Sequence, residues 1–320
     1  MAKFNILLFE PVHPCGQDYL LKNDCEILWA KGFEPDQIIA SVKDADGILA
    51  RARGIIDGPV MDRAPRLKVI GRHGIGVDNI DVDAATQRGI YVVNTPGAPV
   101  EAVAEYIAMS FIALPRQIGQ ADTATRSGDW ALRDRVHAPE LIGKTLGIIG
   151  FGRIGRRLAE ICSLGFRMNV IYTDEFPAPK EEENRLNVCR VELDDLLSTS
   201  DYISLNVPLL DSTHHLINAD TLARMQPHAI IANCSRGPVI DEQALVTALK
   251  NKQIGGAVID VFESEPATPD NPLCELDNVL LSPHYSGHSA ESIQKMAMVA
   301  ADIVRVLNGQ KPEFPVNDPS

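Results

Sequence analysis

The sequence has no excess of positive charge and no long apolar run. Acidic residues outnumber basic ones by 43 to 30 among 320 residues, which gives a net charge of -13 at pH 7. Nucleic-acid binding depends on clustered lysine and arginine, and a membrane-spanning helix needs about 20 consecutive apolar residues. We therefore expect a protein that binds neither nucleic acid nor a membrane.

Paired cysteines are also missing. The six cysteines lie at positions 15, 25, 162, 189, 234 and 274, and no two of them form a C-x-x-C motif. Zinc sites and disulfide frameworks are typically built from such pairs. The spacing predicts no metal site, and it favours reduced thiols in a cytoplasmic protein.

Short β-rich runs alternate with helical stretches along the chain. Most of these runs are continuously apolar, which is typical of parallel strands covered on both faces. The predicted strands are 5–9, 26–29, 47–50, 68–71 and 91–94, then 145–149, 169–173, 202–206, 229–233, 256–261 and 279–281. The pattern predicts an α/β protein with two doubly wound parallel-sheet domains, one flavodoxin-like and one Rossmann domain.

Four helical stretches help to divide the chain: 100–114, 153–164, 241–250 and 289–307. The last follows the second strand series, and we expect it to pack on the first domain. This predicts a discontinuous domain of residues 1–98 and 289–320 and a second domain of residues 99–288. The 100–114 helix is apolar on nearly every face, which indicates burial at a domain or subunit contact. The tail after Gly309 is expected to be a surface extension.

A glycine-rich turn follows the predicted strand 145–149. Its sequence, Gly150-Phe151-Gly152-Arg153-Ile154-Gly155, is a G-x-G-x-x-G motif followed directly by a helix. In this motif the first glycine permits the tight turn, the second lets a pyrophosphate approach, and the third allows close helix–strand packing. The strand–turn–helix context predicts a dinucleotide site, in which Arg153 and Ile154 open the helix whose N-terminus faces the anion.

An acidic residue, Asp174, ends the next predicted strand. A carboxylate there accepts hydrogen bonds from the adenosine ribose and repels a 2′-phosphate. Glu175 follows it, and no arginine stands immediately after the strand in the sequence. The sequence therefore favours NAD over NADP, although Glu175 is equally explained as a solvated surface charge.

Three further polar segments follow predicted strands of the second series. They contribute a fixed cation, a carboxylate and an imidazole, namely Arg236, Glu265 and His284. Reduction of a keto acid requires a cation to hold the substrate carboxylate, an acid to protonate the oxygen, and a carboxylate to orient that acid. Taken singly, each residue is equally explained as an ordinary ion-pair or surface residue, so the prediction depends on their joint placement.

The order of these motifs resembles that of the D-isomer-specific 2-hydroxyacid dehydrogenase family, which includes phosphoglycerate, glycerate and hydroxypyruvate dehydrogenases. The resemblance covers essentially the whole chain. It is carried by Gly71-Arg72-His73-Gly74-Ile75-Gly76-Val77-Asp78-Asn79-Ile80-Asp81, Val103-Ala104-Glu105, the glycine loop, Arg236-Gly237, Asp241-Glu242, Glu265-Pro266 and Pro283-His284. One departure is Pro99-Val100, where many members carry Asn or Thr.

The resemblance implies roles for individual residues. His284 would be the general acid and base, Glu265 its orienting partner and Arg236 the substrate clamp. Residues 1–98 and 289–320 would bind substrate through a loop of Gly74, Ile75 and Gly76, with the backbone N–H groups of Ile75 and Gly76 receiving its carboxylate. Residues 99–288 would bind NAD through Gly150, Gly152, Arg153, Ile154, Gly155, Asp174, Val207, Pro208, Thr213, Cys234, Ser235, Asp260, His284 and Gly287, with Asp260 at the nicotinamide carboxamide.

Three arginines follow or end strands of the first domain: Arg51, Arg53 and Arg72. The resemblance places such arginines near a substrate phosphate, which their planar donor forks fit well. Surface pairing with Asp44, Asp46 or Asp57 explains them equally well. The expected substrate is a small D-2-hydroxy or 2-keto acid, with 3-phosphoglycerate as an example carrying a second anionic group.

Two other functions remain open on the sequence alone. One is an NADPH-linked glyoxylate or hydroxypyruvate reductase, against which Asp174 counts. The other is an NADH-sensing co-repressor, which would be expected to carry long disordered tails for its partners. For the enzyme, a homodimer built partly on the 100–114 helix is expected.

Overall fold

The computed structural model describes residues 3–319 and divides into two compact units. One, called the terminal unit here, comprises the chain up to Pro99 together with the segment from His288 onward; the other, the central unit, is Val100–Gly287. Within the described residues, each helix is too short or too polar to cross a membrane.

The terminal unit is built on a five-stranded parallel sheet. Its strands are β1 Phe4–Leu8, β2 Cys25–Trp29, β3 Gly47–Ala50, β4 Val69–Arg72 and β5 Tyr91–Val93. They lie in the order β2-β1-β3-β4-β5, and every pairing is parallel. This is the strand order of flavodoxin-like folds, so the predicted architecture of this unit is confirmed.

Helices pack on both faces of this sheet. They are α1 Pro14–Lys22, α2 Pro35–Val42, α3 Gly58–Asp62 and α4 Val82–Gln87, with α12 Ala290–Ala297 and α13 Val299–Leu307 from the end of the chain. Neighbouring residues of β3 alternate between two apolar clusters, since Ile48 packs with α2–α4 and Leu49 with α1 and α13. Ile303 lies over Gly47 and Gly71, where a side chain on either glycine would collide with it or crowd it.

The predicted 289–307 helix is two helices in the structure. α12 ends at Ala297 with Met298 as its C-cap, and α13 begins at Val299. The apolar periodicity continues across this break, because Met296, Ala297 and Val299 are all buried. Periodicity alone therefore did not reveal the break.

The tail after Gly309 was expected to be a surface extension, but it is tied to the sheet. Val93 and Pro315 form an antiparallel bridge. The Asn317 side chain accepts from Val92 N (2.7 Å) and donates to Thr86 Oγ1 (2.9 Å) and the Ile90 carbonyl (2.9 Å). A single asparagine thus satisfies three polar groups at the edge of the sheet.

The central unit contains a seven-stranded parallel sheet. Its strands are β6 Thr145–Ile149, β7 Asn169–Thr173, β8 Val188–Arg190, β9 Tyr202–Leu205, β10 Ile230–Asn233, β11 Gly256–Ile259 and β12 Val279–Leu281. They lie in the order β12-β11-β10-β9-β6-β7-β8, so the strand order reverses beside β6. The predicted Rossmann architecture is confirmed, and such a reversal opens a ligand crevice at the carboxyl ends of the strands. The short edge strand β8 was missed by the sequence analysis.

The helices of the central unit are α5 Val100–Ala113, α6 Ile118–Ser127, α7 Arg153–Glu160, α8 Lys180–Leu186, α9 Leu193–Thr199, α10 Ala219–Leu222 and α11 Glu242–Lys250. Short 3-10 turns span Trp130–Asp134, Gly237–Val239 and Pro272–Glu275. The helix predicted to run to 164 ends as α7 at Glu160 and continues as a π turn, Ile161–Gly165. Helix α5 buries Ile107 and Phe111 on one side, whereas Met109 is 46% exposed on another.

Replacing Asn317 with alanine is expected to destabilise the protein by about 1–3 kcal/mol, because three polar groups lose their partner near the sheet edge. The matched control is Lys311→Ala, which removes an exposed side chain from the same tail. Thermal or urea unfolding of the two variants measures the difference. Equal stability of Asn317→Ala and wild type would show that the tail does not contribute to the sheet.

Candidate active site

The predicted cofactor and catalytic residues of the central unit follow strands of one parallel sheet. The glycine loop follows β6, Asp174 follows β7, and Arg236 follows β10. Glu265 comes after β11 and His284 after β12. Because all these strands are parallel, their carboxyl ends lie along one edge, which is where doubly wound sheets bind ligands.

The three glycines of the loop differ in the space around them. Gly150 has φ +93°, and a Cβ there would lie 2.7 Å from the backbone carbonyl of Asn206. A Cβ on Gly155 would lie 2.3 Å from the carbonyl oxygen of Gly150. At Gly152, by contrast, nothing in the described chain comes within 4 Å of that position. Gly150 and Gly155 are thus required by the fold itself, and the open space at Gly152 fits a dinucleotide pyrophosphate at the start of α7.

Asp174 links the glycine loop to the end of β7. Its Oδ2 accepts from the backbone N–H of Phe151 (2.5 Å), and its Oδ1 accepts from that of Phe176 (2.9 Å). A carboxylate has about four acceptor positions. Asp174 therefore holds the loop in place and retains capacity for the ribose hydroxyls of a bound dinucleotide.

An arginine also lies beside Asp174, although none follows it in sequence. Arg190, at the end of the edge strand β8, donates to the Asp174 carbonyl from Nη2 (2.9 Å) and Nε (3.3 Å). The sequence analysis missed this residue because it missed β8. The adenosine end of the site thus combines a carboxylate with an exposed cation.

The Arg236 loop is held from within the sheet. Asn233, the last residue of β10, is 1% exposed. Its Nδ2 donates to the Arg236 carbonyl (2.8 Å), and its Oδ1 accepts from the Ser235 N–H (3.1 Å) and hydroxyl (2.8 Å). The guanidinium of Arg236 donates from Nη1 to the Ser235 carbonyl (2.7 Å). Asn233 is a positioning residue that the sequence analysis treated only as part of a strand.

Gly237 brings this loop against the loop that carries Glu265. A Cβ at Gly237 would lie 1.9 Å from the carbonyl oxygen of Phe262 and 2.5 Å from the backbone nitrogen of Glu263. These atoms are backbone, which cannot move aside as a flexible side chain does. The two loops therefore have a fixed contact that only glycine permits.

Glu265 and His284 form a hydrogen-bonded pair. His284 Nδ1 lies 2.8 Å from Glu265 Oε2, and Glu265 Oε1 accepts from the Phe262 N–H (3.1 Å). Burial raises the pKa of Glu265, but the hydrogen bond with His284 and the nearby positive charge of Arg236 outweigh that effect and hold this pKa below its ordinary value. The carboxylate is thus ionised at neutral pH. It engages one imidazole nitrogen of His284, so Nε2 is the nitrogen available to exchange a proton with a ligand.

Asp260, at the end of β11, holds the His284 loop. It is fully buried, and its Oδ1 accepts from the Ser282 hydroxyl and from Tyr285 N (2.9 Å). Its Oδ2 accepts from Ser286 N (3.0 Å), and its carbonyl accepts from His284 N (2.8 Å). Three of the four acceptor positions of the carboxylate are therefore filled from within this unit.

The other predicted cofactor residues of the central unit are Val207, Pro208 and Thr213 after β9, Cys234 and Ser235 after β10, and Gly287 after β12. The Thr213 hydroxyl donates to the Pro208 carbonyl (2.6 Å), which closes the loop after β9. Burial raises the pKa of the Cys234 thiol well above its ordinary value, with a contribution from Asp260. This shift favours the protonated, less nucleophilic form of the thiol.

In the terminal unit, the loop Gly74–Gly76 has its carbonyl groups bound on one side. The Gly74 carbonyl accepts from Thr95 N (3.0 Å), that of Ile75 from Asn94 Nδ2 (2.7 Å), and that of Gly76 from Arg72 Nε (2.6 Å). In a trans peptide the N–H points opposite to the carbonyl of the same unit. The N–H groups of Ile75 and Gly76 therefore point away from these partners, as binding of an anion requires.

The predicted substrate arginines have different surroundings. Arg72 braces the Gly74–Gly76 loop, and Arg53 lies over the ring of Phe33, 4.4 Å from its centroid. Arg51 donates to the Pro11 carbonyl (3.1 Å). Burial and the charges of Arg51 and Arg72 lower the pKa of His73 to about 3, so this imidazole is neutral among cations.

The surface-pairing explanation named Asp46 as a partner of these arginines, but Asp46 pairs with a different arginine. That carboxylate is bound in a fork by Arg66, which donates from Nε (3.0 Å) and Nη2 (2.8 Å). Arg51 and Arg72 instead form a cationic cluster around the neutral imidazole of His73. Such a cluster attracts an anion.

The site combines open space at a glycine loop with an imidazole–carboxylate pair, and both lie at the ligand-binding edge of a Rossmann sheet. These are features of nicotinamide-dependent oxidoreductases. A model of the D-isomer specific 2-hydroxyacid dehydrogenase NAD-binding domain matches residues 108–286, more than half of the chain. The protein belongs to this family, whose members are NAD-dependent oxidoreductases. The resemblance noted in the sequence is thereby confirmed.

Curated relatives carry two different names. A glyoxylate reductase of Thermofilum pendens is 40% identical over 306 residues, which cover 93% of this chain and 90% of that protein. A D-3-phosphoglycerate dehydrogenase of Archaeoglobus fulgidus is 39% identical over 98% of this chain, but the match spans only 59% of that longer protein. Family membership therefore leaves the substrate undecided.

A solved structure has the same fold over the whole length. A glyoxylate reductase from Paecilomyes thermophila superimposes with a TM-score of 0.88 at 29% identity, covering 100% of both chains. The fold is thus kept where most residues differ.

Proposed function

We propose that this protein is an NAD-dependent dehydrogenase that interconverts a small D-2-hydroxy acid and its 2-keto acid. The observation that carries the proposal is the hydrogen bond between His284 Nδ1 and Glu265 Oε2, 2.8 Å long. It lies in the unit that matches the family's NAD-binding domain. A histidine so oriented can give a proton to a keto oxygen and take it back.

NAD would be held by the glycine loop, with its pyrophosphate at Gly152 and the α7 N-terminus, its ribose at Asp174 and its carboxamide at Asp260. When bound, the nicotinamide supplies the hydride for reduction or accepts it in oxidation. In reduction, His284 Nε2 donates a proton to the keto oxygen, and in oxidation it takes the hydroxyl proton. Glu265 keeps the imidazole oriented and stabilises its charged form in both directions.

Substrate binding is assigned to two groups of residues. Arg236 would hold the substrate through its planar donor fork, which suits a carboxylate. In the terminal unit, the N–H groups of Ile75 and Gly76 offer two donors that also suit a carboxylate. In that unit, Arg51 and Arg72 favour a substrate with a second anionic group such as a phosphate.

A second candidate is a glyoxylate or hydroxypyruvate reductase that uses NADPH. Arg190, beside Asp174, is a cation that could face a 2′-phosphate. The guanidinium of Arg53 is stacked on Phe33, so fewer cations remain to bind a substrate phosphate. This favours a substrate without a phosphate. The carboxylate of Asp174 counts against NADPH, because it would meet the 2′-phosphate as a like charge.

The two candidates differ in an assay of NADH and NADPH oxidation with glyoxylate, hydroxypyruvate and 3-phosphohydroxypyruvate. We expect NADH to give at least about tenfold higher kcat/KM than NADPH, and the phosphorylated acid to be the best substrate. Arg51→Gln should lower kcat/KM for that acid by about tenfold and leave glyoxylate unaffected. Arg63→Gln, which neutralises another exposed arginine of the terminal unit, is the matched control.

The other outcomes of this assay also decide between the candidate functions. Preferred use of NADPH with glyoxylate would replace the first candidate by the second. NADH binding without turnover of any 2-keto acid would contradict both, and would instead support an NADH-sensing binding protein.

The role of Glu265 predicts a change in pH dependence. Glu265→Gln keeps the shape and removes the charge that favours the protonated imidazole, so reduction should fall off at a lower pH than in wild type. Oxidation should extend to lower pH for the same reason, and kcat/KM for reduction near neutral pH should drop about 10- to 100-fold. The measurement is kcat/KM against pH in both directions.

The same loop offers a control for this experiment. Glu263 Oε1 lies 2.7 Å from Nε2 of another histidine, His215. Glu263→Gln should therefore leave the pH profile at its wild-type position. If the Glu265→Gln and wild-type profiles superimpose, Glu265 does not tune His284.

We also propose a cytoplasmic homodimer. Helix α6 and the Trp130–Asp134 turn have no buried residue in the described chain, and Trp130 is 70% exposed. Met109 and Ile118 line an apolar groove between α5 and α6. Exposed apolar surface of this kind is typical of a subunit contact.

The six cysteines are free thiols, as the reducing cytoplasm favours.

Light scattering at micromolar concentration should give the mass of two chains. Met109→Asp should shift the protein toward a monomer, because it places a charge in the apolar groove. Leu21→Asp, on the exposed side of α1, is the control and should leave the mass unchanged. A wild-type monomer would contradict the proposal.

A further inference from the structure

A chain of hydrogen bonds joins helix α5 to the loop that carries His284. The hydroxyl of Tyr106, in the middle of α5, donates to Ser282 Oγ at 2.7 Å. The Ser282 hydroxyl in turn donates to Asp260 Oδ1. Tyr106 and Ser282 are 176 positions apart in the sequence. The proposed mechanism assigns no part to Tyr106 or Ser282.

The direction of this chain follows from the chemistry of its last member. The Asp260 carboxylate accepts from the backbone N–H groups of Tyr285 and Ser286, and the Ser282 hydroxyl donates its one proton to the same group. The Ser282 oxygen can then only accept from Tyr106, which makes the tyrosine hydroxyl the outermost donor. Asp260 is fully buried and Ser282 is 8% exposed, so a lost partner here is not readily replaced by water.

The same Asp260 sets the backbone around His284. Its carboxylate accepts the N–H groups of Tyr285 and Ser286, and its carbonyl accepts that of His284. His284 has φ +52°, a left-handed conformation that a non-glycine residue holds only when its surroundings enforce it. The orientation of the Asp260 carboxylate therefore fixes the direction in which the His284 side chain leaves the backbone.

A second contact joins the helix to the loop. The rings of Tyr106 and Tyr285 meet edge to face, with centroids 5.7 Å apart and an interplanar angle of 80°. This packing keeps the tyrosine ring in place independently of its hydroxyl. Loss of the hydroxyl alone therefore tests the hydrogen-bond chain without emptying the space.

We propose that Tyr106 is a positioning residue for His284, acting through Ser282 and Asp260. The inference deepens the proposed function, since it rests on His284 as the proton donor. Tyr106 holds Ser282 in the rotamer that donates to Asp260 Oδ1. Asp260 then keeps the His284 loop in the conformation in which the imidazole reaches Glu265.

The test compares Tyr106→Phe, Ser282→Ala and the double variant. Tyr106→Phe should lower kcat for keto-acid reduction by about tenfold, the cost of a small misplacement of a catalytic group. NADH affinity, followed by fluorescence, should fall less than kcat, because the glycine loop and Asp174 are untouched and only the carboxamide contact at Asp260 is affected. The double variant should be no slower than Ser282→Ala, since Tyr106 acts only through that serine.

Tyr202→Phe is the matched control. Tyr202 is a buried tyrosine of β9 in the same unit. It borders a cavity at the opposite, amino-terminal edge of the sheet with Lys144 and His228. A general effect of removing a buried hydroxyl would appear in this variant as well. A tenfold loss in Tyr106→Phe with none in Tyr202→Phe supports the proposal.

The inference is overturned if Tyr106→Phe keeps kcat within about twofold of wild type, or if the losses of the two single variants multiply. A spectroscopic readout separates it from the proposed function. In protein labelled with 15N-histidine, the His284 amide signal, assigned by its loss in His284→Ala, should shift in Tyr106→Phe and stay in place in Tyr202→Phe. If no keto acid is turned over, this shift still supports positioning, and an unmoved signal overturns it.

Discussion

The central unit depends on a point where three backbone segments meet with no side chain between them. The carbonyl oxygen of Gly150 occupies the place that a Cβ on Gly155 would need, and the carbonyl of Asn206 crowds Gly150 in the same way. Strands β6 and β9 and helix α7 are therefore locked together at the point where the strand order reverses. The amino end of α7 is thereby directed at the open space beside Gly152, where we propose that the pyrophosphate binds.

The proposed catalytic groups lie on loops, but each loop is held by a buried polar side chain of the sheet. Asn233 does this for the Arg236 loop, and Asp260 does it for the His284 loop. A buried polar group is costly unless it is paired, so these side chains stabilise only the loop conformations that satisfy them. The geometry of the proposed catalytic site is in this way linked to the core rather than left to surface segments.

The sequence predicted the two sheets well, because buried parallel strands are continuous apolar runs. It missed β8, since Val188-Cys189-Arg190 is a three-residue edge strand with one buried side chain. For the same reason it missed Arg190 beside Asp174, a contact made across neighbouring strands. The chain from Tyr106 to Asp260 was also out of reach, because no local pattern connects a residue of α5 with a loop so far along the sequence.

The site shows the same division between local and long-range information. The glycine loop and the acidic residue after β7 follow from spacing within one strand–helix–strand segment. The Glu265–His284 pair joins two strand ends that follow one another in the chain, but its two members were paired by the family resemblance and not by spacing. The bracing of the Gly74–Gly76 loop by Arg72, Asn94 and Thr95 depends on side-chain direction, and spacing carries no information on that.

The terminal unit is completed by a segment that follows the central unit in the chain, and this constrains how the protein is made. Its five strands leave the ribosome before the central unit, but the apolar face that Val299 and Ile303 cover stays open until residues near 300 have been synthesised. The central unit is one continuous segment and can fold before that, whereas the nascent terminal sheet waits with exposed apolar surface. Slow translation of the segment that begins at His288 would therefore prolong the period in which this sheet can aggregate or be bound by chaperones.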